Sequence, residues 1–77
     1  MNKYLLGYRK MMHLTQLEMA TKMQITLTSY CYKENGKRDF RQTEMEQIMD
    51  ILNVEFPSLT MDKVFRRRLA NTAKGSK

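Results

Sequence analysis

The chain has 77 residues and a net charge of +6, with one cysteine, Cys31, and one histidine, His13. A single cysteine excludes an internal disulfide, and one Cys with one His excludes a four-ligand zinc site built from these residue types. A chain of this length forms one small domain of marginal stability, so a second copy of the chain is the expected source of further stability. A lone thiol is typical of a reducing compartment, which favours the cytoplasm.

The N-terminal segment MNKYLLGYRKMM contains an apolar pair but no extended apolar region and no small-residue cleavage site. We therefore expect no signal peptide and assign this segment to the first helix. No stretch of the sequence is long and apolar enough to predict a membrane span.

Charge is distributed unevenly along the chain. Residues 1–41 carry eight cations and three anions, residues 42–65 one cation and five anions, and residues 66–77 five cations and no anion. A basic first half, an acidic fourth helix and a basic tail indicate a polyanion-binding surface on one side of the molecule. The same pattern is equally typical of ordinary solvated charge.

Apolar residues recur at helical spacing, which predicts an all-α fold. The first helix is predicted over about residues 3–12. The second begins at Thr15, whose hydroxyl pairs with Glu18 in a capping box. The third begins near Thr26, which can cap it, and ends before Gly36, which is expected to take the left-handed conformation.

The second half of the chain predicts two more helices. Thr43 and Glu46 repeat the capping-box pattern and are expected to open the fourth helix. The fifth is expected to begin near Thr60. The predicted architecture is thus a compact bundle of about five short helices over residues 1–65, followed by a basic tail over residues 66–77.

The second and third helices are short and separated by about three residues, which predicts a helix-turn-helix. Helical spacing places Ile25 and Tyr30 on the inner side of the third helix. Five residues fall on or near its outer side: Leu27, Thr28, Ser29, Tyr32 and Lys33. A helix of this kind fits a DNA major groove, where Ser and Thr hydroxyls bond to base edges and Leu contacts a thymine methyl group. Tyr and Lys side chains suit phosphates or the groove wall.

An ordered set of residues resembles the lambda-repressor-like (Cro/cI, or XRE) helix-turn-helix family, and most of all its small phage-borne regulators. The set is Arg9, LTQ at 14–16, Ala20, IT at 25–26, ENGKR at 34–38 and DFRQTEMEQIMDILNV at 39–54. The resemblance implies a DNA-binding regulator. It covers about two-thirds of the chain, from residue 9 to residue 54.

The resemblance also implies residue roles. Gln16 would contact a DNA phosphate and buttress the reading helix, and Arg9 with Glu34 would form a structural ion pair between the first and third helices. Base or backbone contacts in the major groove would fall to Thr26, Leu27, Thr28, Ser29 and Tyr32. Phosphate contacts from the following loop would fall to Asn35, Lys37, Arg38 and Arg41.

Two positions depart from the family pattern. Gln24 occupies the turn where the family usually has Gly, and a non-Gly residue in the left-handed region costs on the order of 1 kcal/mol. Leu27 occupies a reading position that is often polar. Its exposure would indicate either thymine recognition or a surface that binds protein.

The sequence therefore predicts a transcriptional regulator that occupies a double-stranded DNA operator as a homodimer in the cytoplasm. The alternative is a helix-turn-helix scaffold that binds another protein, as an antirepressor or host-factor inhibitor. No carboxylate pair, activated nucleophile or phosphate-binding Gly loop is apparent, so we expect no enzymatic activity. We expect no cofactor, metal or small-molecule ligand either.

Overall fold

The computed structural model describes residues 2–65, which form five α-helices and, within that range, no strand. The helices are α1 (Lys3–Met11), α2 (Gln16–Met23), α3 (Leu27–Glu34), α4 (Gln42–Asn53) and α5 (Met61–Phe65). The prediction of an all-α bundle of five short helices is confirmed, and α2 packs closely against α3. The predicted basic tail over residues 66–77 lies outside the described residues.

The first three helices begin at polar caps. Asn2 Oδ1 accepts from the first-turn amides of α1. In α2 the predicted capping box is present: Thr15 N–H donates to Glu18 Oε1 at 2.8 Å, and Glu18 N–H donates to Thr15 Oγ1 at 3.0 Å. Thr26 Oγ1 accepts from Ser29 N–H at 3.1 Å, as predicted. These caps satisfy amides that lack a partner within the helix.

The predicted start of α4 is wrong. Arg41, and not Thr43, is the residue before the first turn, and its N–H donates to Glu44 Oε1 at 2.8 Å. The Glu44 carboxylate is also bound by Lys33 from α3, which fixes it at the helix start. This contact between helices, invisible in the local sequence, selects Glu44 over Glu46 as the capping acid.

The core draws on every helix. Its fully or nearly fully buried members are Leu5, Met19, Ala20, Met23, Tyr30, Ile48, Met49, Leu52 and Val64. Ala20 on α2 is buried, with 1% of its surface exposed. Phe40 joins the loop before α4 to the rest, because its ring centroid lies 6.0 Å from that of Tyr30 and 5.8 Å from that of Phe65. Apolar residues that recur at helical spacing therefore pack together in one core.

Helices α1, α2 and α3 all end in the same way, with one residue in the left-handed conformation. These residues are His13 (φ 60°), Gln24 (φ 60°) and Gly36 (φ 87°). After α2, Gln24 N–H donates to Thr21 O and Ile25 N–H to Ala20 O, the paired bonds of a Schellman motif. The left-handed Gln24 is the strained turn that the sequence predicted, and His13 is a second one that it did not.

We predict that Gln24→Gly raises the free energy of unfolding by about 1 kcal/mol, because Gly adopts positive φ without the steric clash of a Cβ. Urea denaturation followed by circular dichroism measures this change. Gln47→Gly is the matched control, since Gln47 lies exposed within α4. That control should lose about 1 kcal/mol, and a loss at both positions would contradict the strain at Gln24.

Candidate nucleic-acid interface

The outer side of α3 carries the residues that helical spacing placed there. Leu27 and Tyr32 are 42% and 45% exposed, Thr28 is exposed and Ser29 is half-buried. Within residues 2–65, the hydroxyls of Thr28, Ser29 and Tyr32 make no hydrogen bond. Thr26 is also exposed, but its hydroxyl already caps α3. Unpaired hydroxyls on an exposed helix face are free to bond to a ligand.

The inner side of α3 is fixed by Glu34, whose side chain is buried. Its Oε2 accepts from Arg9 Nε at 2.9 Å and from the Tyr30 hydroxyl at 2.7 Å. Its Oε1 accepts from Gln16 Nε2 at 2.7 Å and from Arg9 Nη2 at 3.3 Å. The predicted Arg9–Glu34 ion pair is therefore confirmed. Burial, and then the hydrogen bond to Glu34, raise the pKa of Tyr30 above its ordinary range.

Two partners of Glu34 were missed by the sequence reasoning. Tyr30 lies four residues before Glu34 in α3. This spacing puts two side chains on one helix face, so the contact between them could have been predicted from the sequence. Gln16 lies on α2, and no local pattern connects it to Glu34. Residues of three helices thus meet at one carboxylate.

Gln16 lies between α2 and α3 as a buttress. While its Nε2 donates to Glu34, its Oε1 accepts from Cys31 Sγ at 3.3 Å. These two contacts brace α3 against α2, as the resemblance implied. That α3 reads DNA and that Gln16 contacts a phosphate stay predictions. Cys31 is half-buried and supplies a second tie between the two helices.

The prediction that Lys33 lies on the outer side of α3 is wrong. Its Nζ lies 2.7 Å from both carboxylate oxygens of Glu44, and the two side chains are only 8% and 10% exposed. Position 33 lies at the edge of the outer face, and the N-terminus of α4 approaches it there. Lys33 is therefore an internal tie between α3 and α4.

Burial alone would raise the pKa of Glu44, but the hydrogen bonds from Arg41 N–H and Lys33 Nζ outweigh it. The pKa of this carboxyl therefore lies below its ordinary value. The ionised form is the one that stabilises the fold.

The loop after α3 holds exposed cations beside the outer side of the helix. Lys37 N–H and Arg38 N–H both donate to Tyr32 O, at 2.8 and 3.3 Å. Lys37 Nζ lies 5.8 Å from the centroid of the Tyr32 ring, within cation–π range. The predicted phosphate-contacting residues Asn35, Lys37, Arg38 and Arg41 are all exposed, and Asp39 is the loop's exposed carboxylate.

Most of the other exposed acids within residues 2–65 lie on α4, α5 and the segment between them: Glu46, Asp50, Glu55 and Asp62. Glu18 on α2 is exposed as well. The carboxylate of α3 itself, Glu34, is 1% exposed, so the outer side of α3 has no negative side chain. The exposed side chains of α3 and the loop after it therefore carry a net positive charge, and those of α4, α5 and the segment between them a net negative one.

Three comparisons, with protein-family models, with curated proteins and with solved structures, find no match to this chain. Residues 2–65 contain no group of three or more His, Cys, Asp or Glu side chains that could hold a metal ion. None of the five helices has the length and apolarity that crossing a membrane requires. The candidate interface is accordingly defined by the side chains of α2, α3 and the following loop.

We predict that Glu34→Gln lowers the free energy of unfolding by about 3–5 kcal/mol or unfolds the chain, because it leaves the Arg9 charge buried without a counter-ion. Urea denaturation at neutral pH measures the loss. Glu55→Gln is the matched control at an exposed carboxylate and should change stability by less than about 0.5 kcal/mol. Equal small effects at both positions would contradict the central role of Glu34.

We also predict that wild-type protein is more stable than Glu44→Gln at neutral pH, and that this difference shrinks as pH falls below 4.5, the ordinary pKa of Glu. The folded-state pKa is depressed, so the stabilisation is present above that pH and is lost as Glu44 takes up a proton. Thermal unfolding across pH 3–7 in about half-unit steps measures the effect. A difference that stays constant down to about pH 3 would contradict it, and exposed Glu46→Gln supplies the reference series.

Proposed function

We propose that the chain is a sequence-specific DNA-binding transcriptional regulator of the lambda-repressor-like helix-turn-helix kind. One observation carries the proposal: the outer side of α3 offers unpaired hydroxyls and no carboxylate, beside cations held by the following loop. The inner side of the same helix is fixed to α1 and α2 through Glu34. A rigid helix with a free polar face is what reading a base sequence requires.

The dimensions of α3 suit this task. An α-helix with its side chains is about 10–12 Å across, and a B-DNA major groove is about 12 Å wide, so α3 can lie in the groove. Helices of this class read base edges with their N-terminal residues. In α3 these residues are Leu27, Thr28 and Ser29, with Tyr32 one turn further along.

Affinity would come mainly from phosphate contacts. Lys37, Arg38 and Arg41 are exposed and close in sequence to the C-terminal end of α3, where a groove-bound helix leaves the bases and meets the backbone. Such contacts release counter-ions, so binding would weaken steeply as salt is raised. The loop would thus supply most of the affinity, and α3 would supply the sequence specificity.

As a regulator the chain would act by occupancy, either blocking polymerase or helping it. It would bind a palindromic operator as a homodimer, with half-sites about one helical turn, roughly 34 Å, apart. Its place would be the cytoplasm of a bacterial cell, at the nucleoid. The proposal includes no catalytic step and no cofactor.

The alternative proposal is a module that binds protein on a helix-turn-helix scaffold. Two observations favour it: Leu27 is an exposed apolar residue on the candidate reading face, and Val54 after α4 is 79% exposed beside an acidic surface. A protein-binding module would show little retention on DNA or heparin and a weak dependence on salt.

The test is a titration against two duplexes, one selected by the protein from a random DNA pool and one with the same bases scrambled, from about 50 to 200 mM salt. Lys37→Ala should weaken binding to both duplexes and lower the slope of log affinity against log salt by about 1. Ser29→Ala or Tyr32→Ala should weaken binding to the selected duplex alone, by about 0.5–1.5 kcal/mol, the net contribution of one hydrogen bond.

Equal losses on both duplexes for Ser29→Ala would contradict its assigned role in reading sequence. Absence of binding by the wild-type chain at low salt would overturn the DNA proposal and favour the protein-binding alternative. Circular dichroism of each variant provides the control for folding, since all three substituted side chains lie wholly or partly at the surface.

A further inference from the structure

The side chains on the outer side of α3 cannot make bidentate hydrogen bonds to a base edge. Bidentate reading of a base requires Arg or Lys for guanine and Asn or Gln for adenine. The exposed and half-exposed outer residues are Leu27, Thr28, Ser29 and Tyr32, together with the capping Thr26. None of these residue types makes a bidentate contact with a base edge.

Within α2 and α3 and at the end of α3, the side chains that could make such contacts are held or placed elsewhere. Under the proposed function, the loop cations Lys37 and Arg38 contact phosphates. The Lys33 ammonium is held by both oxygens of Glu44, and its side chain is 8% exposed. The Gln16 amide is held between Glu34 and Cys31. Asn35 lies past the far end of α3, about 12 Å along the axis from its first turn.

The outer side of α3 therefore offers a ligand hydroxyl groups and apolar carbon atoms. Ser and Thr hydroxyls both donate and accept, so they bond to either kind of base edge and discriminate weakly. An apolar side chain contacts the C5-methyl group of thymine, a feature that is absent from the major-groove edges of guanine, cytosine and adenine. Leu27, in the first turn of α3, is the exposed apolar side chain placed to make this contact.

We infer that the first turn of α3 recognises the C5-methyl group of a pyrimidine in the major groove, with Leu27 as its apolar contact. This inference rests on the proposed function. Because the methyl group itself is recognised, thymine should bind more tightly than uracil, and 5-methylcytosine more tightly than cytosine. Selectivity thus arises from an uncharged surface, separately from the cations that supply affinity.

The probe is the duplex selected by the wild-type protein from a random DNA pool, with each thymine replaced in turn by uracil. Loss of one methyl group should weaken wild-type binding about fourfold at one or two positions, the factor given by ~0.8 kcal/mol for a buried methyl group. At those positions a 5-methylcytosine–guanine pair should bind about fourfold more tightly than a cytosine–guanine pair.

Leu27→Ala should bind the selected duplex more weakly and respond equally to thymine and uracil at the same positions. Leu17→Ala is the matched control, because Leu17 is an exposed leucine on α2, and it should keep the wild-type response to uracil. Both substitutions lie on the surface, and thermal unfolding checks that each variant is folded.

Indifference of the wild type to uracil at every position, with DNA binding intact, overturns this inference and leaves the proposed function standing. So does a response to uracil that survives Leu27→Ala, or a selected duplex whose bound site contains no thymine. Failure of the wild type to bind any DNA overturns both proposals and assigns the exposed Leu27 to a protein partner.

Discussion

The buried carboxylate of Glu34 is the interaction on which the arrangement of the first three helices depends. A buried charge is tolerated only when it is paired and its oxygens are hydrogen-bonded. Each oxygen of Glu34 receives two donors, from Arg9 on α1, Gln16 on α2 and Tyr30 on α3 itself. These bonds set the angle at which α3 stands against its neighbours, and thereby which of its side chains face solvent.

Features encoded in short stretches of sequence were predictable. The Thr15–Glu18 box, the Thr26 cap and the left-handed Gly36 follow from residue types three or fewer positions from a helix end. The Arg9–Glu34 pair was predictable from the family resemblance. The start of α4 was not, because Thr43 and Glu46 fit the capping-box pattern, whereas the observed pair, Arg41 and Glu44, does not and is held by Lys33 from another helix.

In the candidate interface, too, features set by local sequence were predictable and features set by contacts between helices were not. Helical spacing correctly placed Leu27, Thr28 and Tyr32 at the surface, since it fixes the angle of each side chain about the axis. It could not place Lys33, because the fate of a residue at the edge of a face depends on which helix approaches it. Removal of that ammonium from the surface leaves the exposed face of α3 uncharged.

Within residues 2–65, four of the six exposed acids lie on α4, α5 and the segment between them, whereas three exposed cations lie in the loop after α3. Under the proposed function, an approaching DNA duplex would exert a torque on this uneven charge before any atoms touch. The Debye length is about 8 Å at physiological ionic strength, so this turning acts only over the last nanometre of the encounter. Within that distance the acidic side chains of α4 and α5 would be repelled by DNA, and the protein would approach with its cationic loop leading.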